Sequence, residues 1–120
     1  MKILIAEDDE LMLRTLEFRL KKDGHQLILA RDGREALEKI DQFLPELVIT
    51  DIMMPYLSGL EVVAALREKD QTPIIMLSAM GQEDIVLEAF RLGADDFITK
   101  PFSPNELSVR IKRFMLVHSR

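Results

Sequence analysis

The chain contains no cysteine, so it forms no disulfide and offers no thiolate to a metal. Its fold has to be held by packing alone, and a reducing compartment is compatible with it. It also has no apolar run of membrane-spanning length, and Met1-Lys2 leads straight into a strand-like segment without the apolar core or cleavage site of a secretory leader. The sequence therefore predicts a soluble, cytoplasmic protein with no membrane partner. Nor is there the basic excess that broad affinity for nucleic acid or acidic lipid requires, because 16 Lys and Arg face 21 Asp and Glu for a formal net charge of −5. Only after Ser103 does the balance turn, with Arg110, Lys112, Arg113 and Arg120 against Glu106, as on a solvated helix face. The phosphate-cradling loops G-x-x-x-x-G-K-[ST] and G-x-G-x-x-G and the G-x-S-x-G elbow are missing, and His25 and His118 lie too far apart in sequence to suggest a shared metal. No repeat, low-complexity tract or linker-like break divides the 120 residues, which fit one domain over 1–120.

What the chain does have is a strand–helix alternation repeated five times, the pattern of a parallel sheet with helices on both faces. The runs at 2–6, 46–50 and 73–77 are almost continuously apolar, as strands buried on both faces are, while Gln26-Leu27-Ile28-Leu29-Ala30 is weaker and belongs nearer an edge. Helical spacing predicts helices over about 9–22, 33–43, 59–69, 82–92 and 104–117. Their apolar stripes include Ala36, Leu37, Ile40, Phe43 and Leu44, then Ile85, Val86, Ala89 and Phe90, then Leu107, Ile111, Phe114 and Met115. Gly24 and Gly93 stand where helices end, and Ser103-Pro104-Asn105-Glu106 reads as a capping box with proline in the first helical position.

Four of the apolar runs stop in a chemically pointed way. Ile3-Leu4-Ile5-Ala6 gives way to Glu7-Asp8-Asp9, Leu47-Val48-Ile49-Thr50 to Asp51, Ile74-Ile75-Met76-Leu77 to Ser78, and Phe97-Ile98-Thr99 to Lys100-Pro101. Parallel strands place their carboxyl ends side by side, where open α/β sheets put their chemistry. Carboxylates, a hydroxyl and an ammonium on one rim make a site for a hard divalent cation and a phosphoryl group. Taken singly, each residue has a plainer use: Asp51 can open a turn, Glu7, Asp8 and Asp9 can cap a helix, and Ser78 can close a loop. Taken together, carboxylates about 4 Å apart repel by ~4 kcal/mol at an effective dielectric near 20, so such a cluster is destabilising unless a cation fills it. Magnesium fits best, since it needs only one or two carboxylates beside water and phosphate oxygens. Asp8 and Asp51 are the direct ligands on this reading, Glu7 or Asp9 act through water, and the backbone carbonyl of Met53 is a further ligand. Ser78 and Lys100 supply a donor and a positive charge to the phosphoryl oxygens, and Asp51 is the nucleophile that takes the group as an acyl phosphate. The Lys100-Pro101 bond is a candidate for the cis form.

With Glu7-Asp8, Asp51, Ser78 and Lys100-Pro101 in this order, the whole chain resembles the receiver domain of two-component response regulators. The resemblance implies a flavodoxin-like (CheY-like) doubly wound α/β fold with a five-stranded parallel sheet of order 2-1-3-4-5 and five helices. It implies that Asp51 is phosphorylated by a sensor histidine kinase with Mg²⁺ held by Glu7, Asp8, Asp51 and the Met53 carbonyl. Ser78 becomes the switch hydroxyl, Lys100 the phosphate-pairing lysine, and Phe97 the switch aromatic. The segment Gly93 to Pro104 is similar to the OmpR-type branch, which implies homodimerisation through the fourth helix, fifth strand and fifth helix, with Asp95, Asp96, Arg110 and Lys112 at charged positions of that face. DNA would then be bound only through a separate output domain, and the last helix running into Val117-His118-Ser119-Arg120 without a stop signal is what a linker to one would look like. The fourth helix departs from the pattern, with Glu83, Asp84 and Glu88 and only Arg91 as a base.

Two other readings compete. A phosphatase with an aspartyl nucleophile shares the metal, serine and lysine, but such enzymes of the haloacid dehalogenase type carry a second acid two residues after the nucleophile, where Met53 cannot move a proton. A binding module of the same fold with a vestigial acid cluster is the non-enzymatic alternative.

Overall fold

The computed structural model describes residues 1–79 and 81–118. Five strands, β1 (Lys2–Ala6), β2 (Gln26–Ala30), β3 (Leu47–Asp51), β4 (Ile74–Ser78) and β5 (Asp96–Thr99), alternate with five helices, α1 (Glu10–Lys22), α2 (Gly33–Phe43), α3 (Gly59–Arg67), α4 (Glu83–Leu92) and α5 (Pro104–His118). All strand pairings are parallel, in the order β2-β1-β3-β4-β5.

Alternation along the central strands divides the apolar side chains between two layers. Leu4 and Ala6, Val48, and Ile74 and Met76 point to a cluster completed by Ala36 and Ile40 of α2, Val62, Val63 and Leu66 of α3, and Ala89 of α4. Ile3 and Ile5, Leu47 and Ile49, and Ile75 and Leu77 point the other way, onto Leu13, Leu16 and Leu20 of α1 and Leu107 and Ile111 of α5. Strands covered on both faces need apolar residues at every position, which is why these three runs are nearly unbroken. β2 lies at the edge, as its mixed sequence predicts, with Gln26 exposed.

The differences from the sequence reading are local. β3 and β4 each sit one residue later than expected and include Asp51 and Ser78, because Asp51 still pairs with Leu77 and Ser78 with Thr99 in the ladder. α1 begins at Glu10, since Asp9 is its N-cap and accepts from Met12 N at 3.2 Å. α3 ends at Arg67 rather than two residues further on. In α2 the helix stops at Phe43 and Leu44 adopts a left-handed conformation, so the last two members of its stripe face solvent. α4 buries only Ala89 fully and leaves Phe90 exposed, and Met115 of α5 is exposed as well. Gly93 caps α4 with φ 116°, and Ser103 Oγ accepts from Glu106 N at 3.1 Å while the Glu106 carboxylate faces Arg110 at 3.5 Å. The expected run-out of α5 through Ser119 and Arg120 lies outside the described residues. Among those described, no helix is long and apolar enough to cross a membrane.

Candidate functional site

The register brings the four pointed strand ends to one rim. Glu7 extends β1 by one further bond, donating its N–H to Ala30 O at 3.0 Å, and its side chain is fully buried. Asp51 closes β3 and is 5 % exposed. Ile52 N reaches across to Leu77 O at 3.1 Å, and Lys100 N donates to Ser78 O at 2.7 Å, so the ends of β3, β4 and β5 are tied together immediately beneath the site. Ser78 is buried at the end of β4. The Lys100-Pro101 bond is cis.

Carboxylate oxygens of Glu7, Asp8 and Asp51 all lie within 4.8 Å of one another. The Lys100 ammonium donates to Glu7 Oε1 at 2.5 Å and to Asp51 Oδ2 at 2.9 Å. The crowding expected of the acids is thus partly answered from within the chain, by a lysine bridging two of the three. The relief is incomplete: burial, only partly countered by Lys100 and reinforced by the neighbouring Asp51, pushes the Glu7 carboxyl up to about 7 from its ordinary 4.5. For Lys100, burial works against the charge, but the hydrogen bonds and charges of Glu7 and Asp51 together outweigh it and hold the ammonium above its usual range. Asp8 is exposed, so the open side of the cluster faces solvent. Three acidic side chains against one base, with one acid accessible, suit a divalent cation that binds through one or two carboxylates and keeps its remaining waters.

Asp9 does not join the cluster through its side chain, which caps α1; its N–H instead donates to Glu7 Oε2 at 3.3 Å. Met53 stands two residues beyond Asp51 with an exposed side chain. Phe97 is half-buried and packs against the cluster between the sheet and α2, α3 and α4. Of the charged residues on the β5–α5 side, Asp96 receives both Arg110 Nη1 contacts at 2.8 and 2.9 Å. Asp95 accepts from Arg67 Nη2 at 3.0 Å and from Ile74 N at 2.9 Å. Lys112 is exposed on α5.

Three features of the site go beyond the sequence reading. A Cβ at Gly59 would lie 2.1 Å from the Asp51 carbonyl oxygen, and Gly59 N donates to Ile52 O at 2.8 Å, so the start of α3 is pressed onto the backbone of Asp51 at a distance only glycine permits. Ser58 and Glu61 form a reciprocal capping box there, a Ser-x-x-Glu signal as readable as the one at Ser103. Thr50 Oγ1 also donates to Asp51 O at 3.0 Å from within the buried strand.

Comparison with known proteins agrees with this geometry. The family model described as response regulator receiver domain matches residues 3–112. The alkaline phosphatase synthesis transcriptional regulatory protein PhoP of Bacillus subtilis is 42 % identical over 115 residues, covering 95 % of this chain and 48 % of that protein. The probable transcriptional regulator ycf27 of Guillardia theta is 44 % identical over 111 residues, covering 92 % and 44 %. The chain spans just under half the length of these relatives, whose description as transcriptional regulators supports the OmpR-type resemblance of residues 93–104. Among solved structures, the receiver domain of the Francisella response regulator 1452 superposes with a TM-score of 0.89 at 35 % identity, covering 93 % of each chain. The strand order, the acid cluster and the family match converge, and the chain belongs to the response regulator receiver family, as a regulatory domain of two-component signalling.

Proposed function

We propose that the protein is a phospho-acceptor switch in which Asp51 takes a phosphoryl group from the phosphohistidine of a sensor histidine kinase. The observation that carries this reading is the meeting of Glu7, Asp8 and Asp51 with Lys100 bonded directly to Asp51. The Asp51 carboxylate attacks phosphorus in line, the P–N bond to the donor imidazole breaks, and the leaving nitrogen keeps the electron pair. Asp8, Asp51 and the carbonyl of Met53 hold Mg²⁺, with Glu7 beside them. When bound, the ion supplies positive charge against the phosphoryl oxygens. Lys100 is already poised between Glu7 and Asp51 and transfers part of its hydrogen bonding to the new phosphoryl oxygens. Ser78 donates to them from the neighbouring strand, and Phe97 moves inward behind it, shifting an equilibrium between two arrangements of the face formed by α4, β5 and α5. That face, with Asp95, Asp96, Arg110 and Lys112, carries the output as a homodimer contact. Through a separate DNA-binding output domain it controls transcription in the cytoplasm. The acyl phosphate hydrolyses slowly and no external substrate turns over, because Met53 occupies the position where the phosphatase rival needs an acid.

Incubation with a small phosphodonor and Mg²⁺, read by intact mass, tests the proposal. One added phosphoryl group, lost in Asp51→Asn, is the expected result. Multiple turnover of a phosphate ester would establish the enzyme instead, and no modification would leave a vestigial binding module.

A further inference from the structure

Between β3 and α3 the chain makes a turn that an ordinary residue resists. Leu57 N donates to Pro55 O at 2.8 Å, a bond spanning only two residues, and Tyr56 at its centre has φ 68°. That pairing is the rare, strained form of the γ-turn. A bulky aromatic at positive φ is an outlier where glycine would sit freely, and burial does not explain it, because Tyr56 is 72 % exposed.

What meets the turn is the start of α2. The Arg34 guanidinium carbon lies 4.7 Å from the centre of the Tyr56 ring, within cation–π range. One residue earlier, Gly33 N approaches Pro55 O at 3.5 Å, and a Cβ at Gly33 would stand 2.1 Å from Leu57 O. The far end of the same loop is pinned by Gly59 against Ile52 and Asp51. Met53 lies between these two attachments. Strained backbone persists only where its surroundings over-determine it, and such places concentrate at functional sites.

We infer that Tyr56 and Arg34 are positioning residues: α2 clasps a strained turn and so holds the segment from Ile52 to Leu57, with the Met53 carbonyl in it, preorganised beside Asp51. The inference rests on the phospho-acceptor reading. Ordering the loop in advance removes that cost from the moment of metal binding. Releasing the clasp returns it.

Magnesium titration by calorimetry, with Mg²⁺ itself as the probe, is the test, run beside thermal melts in chelator and phosphorylation rates with a small phosphodonor. Arg34→Ala and Tyr56→Gly weaken Mg²⁺ binding by roughly two- to fivefold, the reach of an exposed cation–π contact, and slow phosphorylation. Tyr56→Gly at the same time raises the metal-free unfolding midpoint by ~2–4 °C, because glycine relieves the strained φ. Stability and affinity moving in opposite directions is a signature a merely structural contact does not give. Tyr56→Phe, which keeps the ring, retains wild-type affinity. Wild-type Mg²⁺ affinity in both Arg34→Ala and Tyr56→Gly would overturn the clasp. If wild type takes no phosphoryl group on Asp51, the acceptor reading fails instead, and the magnesium titration still decides the role of the pair.

Discussion

The two ends of the sheet handle charge in opposite ways. At the amino ends of the strands Arg67 and Asp23 are each held by several separate partners. Arg67 spreads its guanidinium over Gly93 O at 2.8 and 3.1 Å, Thr72 O at 2.7 Å and Asp95 at 3.0 Å. Asp23, at the end of α1, accepts from Ser108 Oγ at 2.6 Å and from Arg19 Nε at 3.2 Å. At the carboxyl ends, Lys100 is bonded to two acids at once, and a third acid stands beside them. One end is arranged for stability. The other keeps an unbalanced charge in readiness for something that binds.

Removing the principal cation from each end should separate the two most sharply. Arg67→Ala takes the side-chain donor from the half-buried carbonyls of Thr72 and Gly93 and leaves Asp95 only its bond from Ile74 N, and should cost about 2–3 kcal/mol, unaffected by magnesium. Lys100→Ala should cost less, about 1–2 kcal/mol in chelator, because the side chain is partly solvated and Glu7 can take up a proton. Millimolar Mg²⁺ should restore most of that loss. Urea unfolding with and without the ion measures both, and a magnesium-insensitive Lys100→Ala would erase the contrast.

A smaller effect of the opposite sign is expected at Asp8. With chelator present, Asp8→Asn should raise the melting midpoint by roughly 1–3 °C by thinning the acid cluster. A lowered midpoint would mean that the carboxylate is held by favourable bonds after all.

The smallest effect is one of pH, at the amino end. His25 is driven below its ordinary value by burial and by the charge of the amino terminus, whose nitrogen lies 3.1 Å from Nδ1. The folded state therefore prefers the neutral ring, while the unfolded chain binds a proton near pH 6.5. The stability from the neutral ring is fully present above about pH 6.5 and is lost as pH falls below it. Between about pH 7 and 5.5 His25→Gln should remove this loss and leave the opposing gain from proton uptake at Glu7, so the variant's melting profile should lie above that of wild type increasingly toward the acid end. An unchanged slope would place that titration elsewhere.

How much of this was readable from the residues follows from the range of the interactions. The strands and their polar ends were legible because burial on both faces imposes an unbroken apolar run, and a polar residue ending it stands out without any partner being known. The sequence assigns Lys100 to the site but not its bond to Glu7, since nothing local to residue 100 reports on residue 7. Gly33 and Gly59 look like ordinary helix-start glycines until Leu57 and Asp51 are placed against them. Adjacent acids look alike in a sequence, so Glu7, Asp8 and Asp9 read as one group, yet the turn into α1 sends only Asp9 to the cap. The exposed ends of the α2 and α4 stripes have the same cause, because periodicity gives a face but not how far the neighbouring layer extends.

The division of each central strand between two separate apolar layers has a consequence for how firmly the rim is held. A slip of β4 by a single position would send Ile75 and Leu77 into the layer shaped for Ile74 and Met76, exchanging every side chain on both faces together. Ser78 and Asp51 are thus indexed to the interior the way teeth index a ratchet, and a chain with a damaged rim should still mesh correctly.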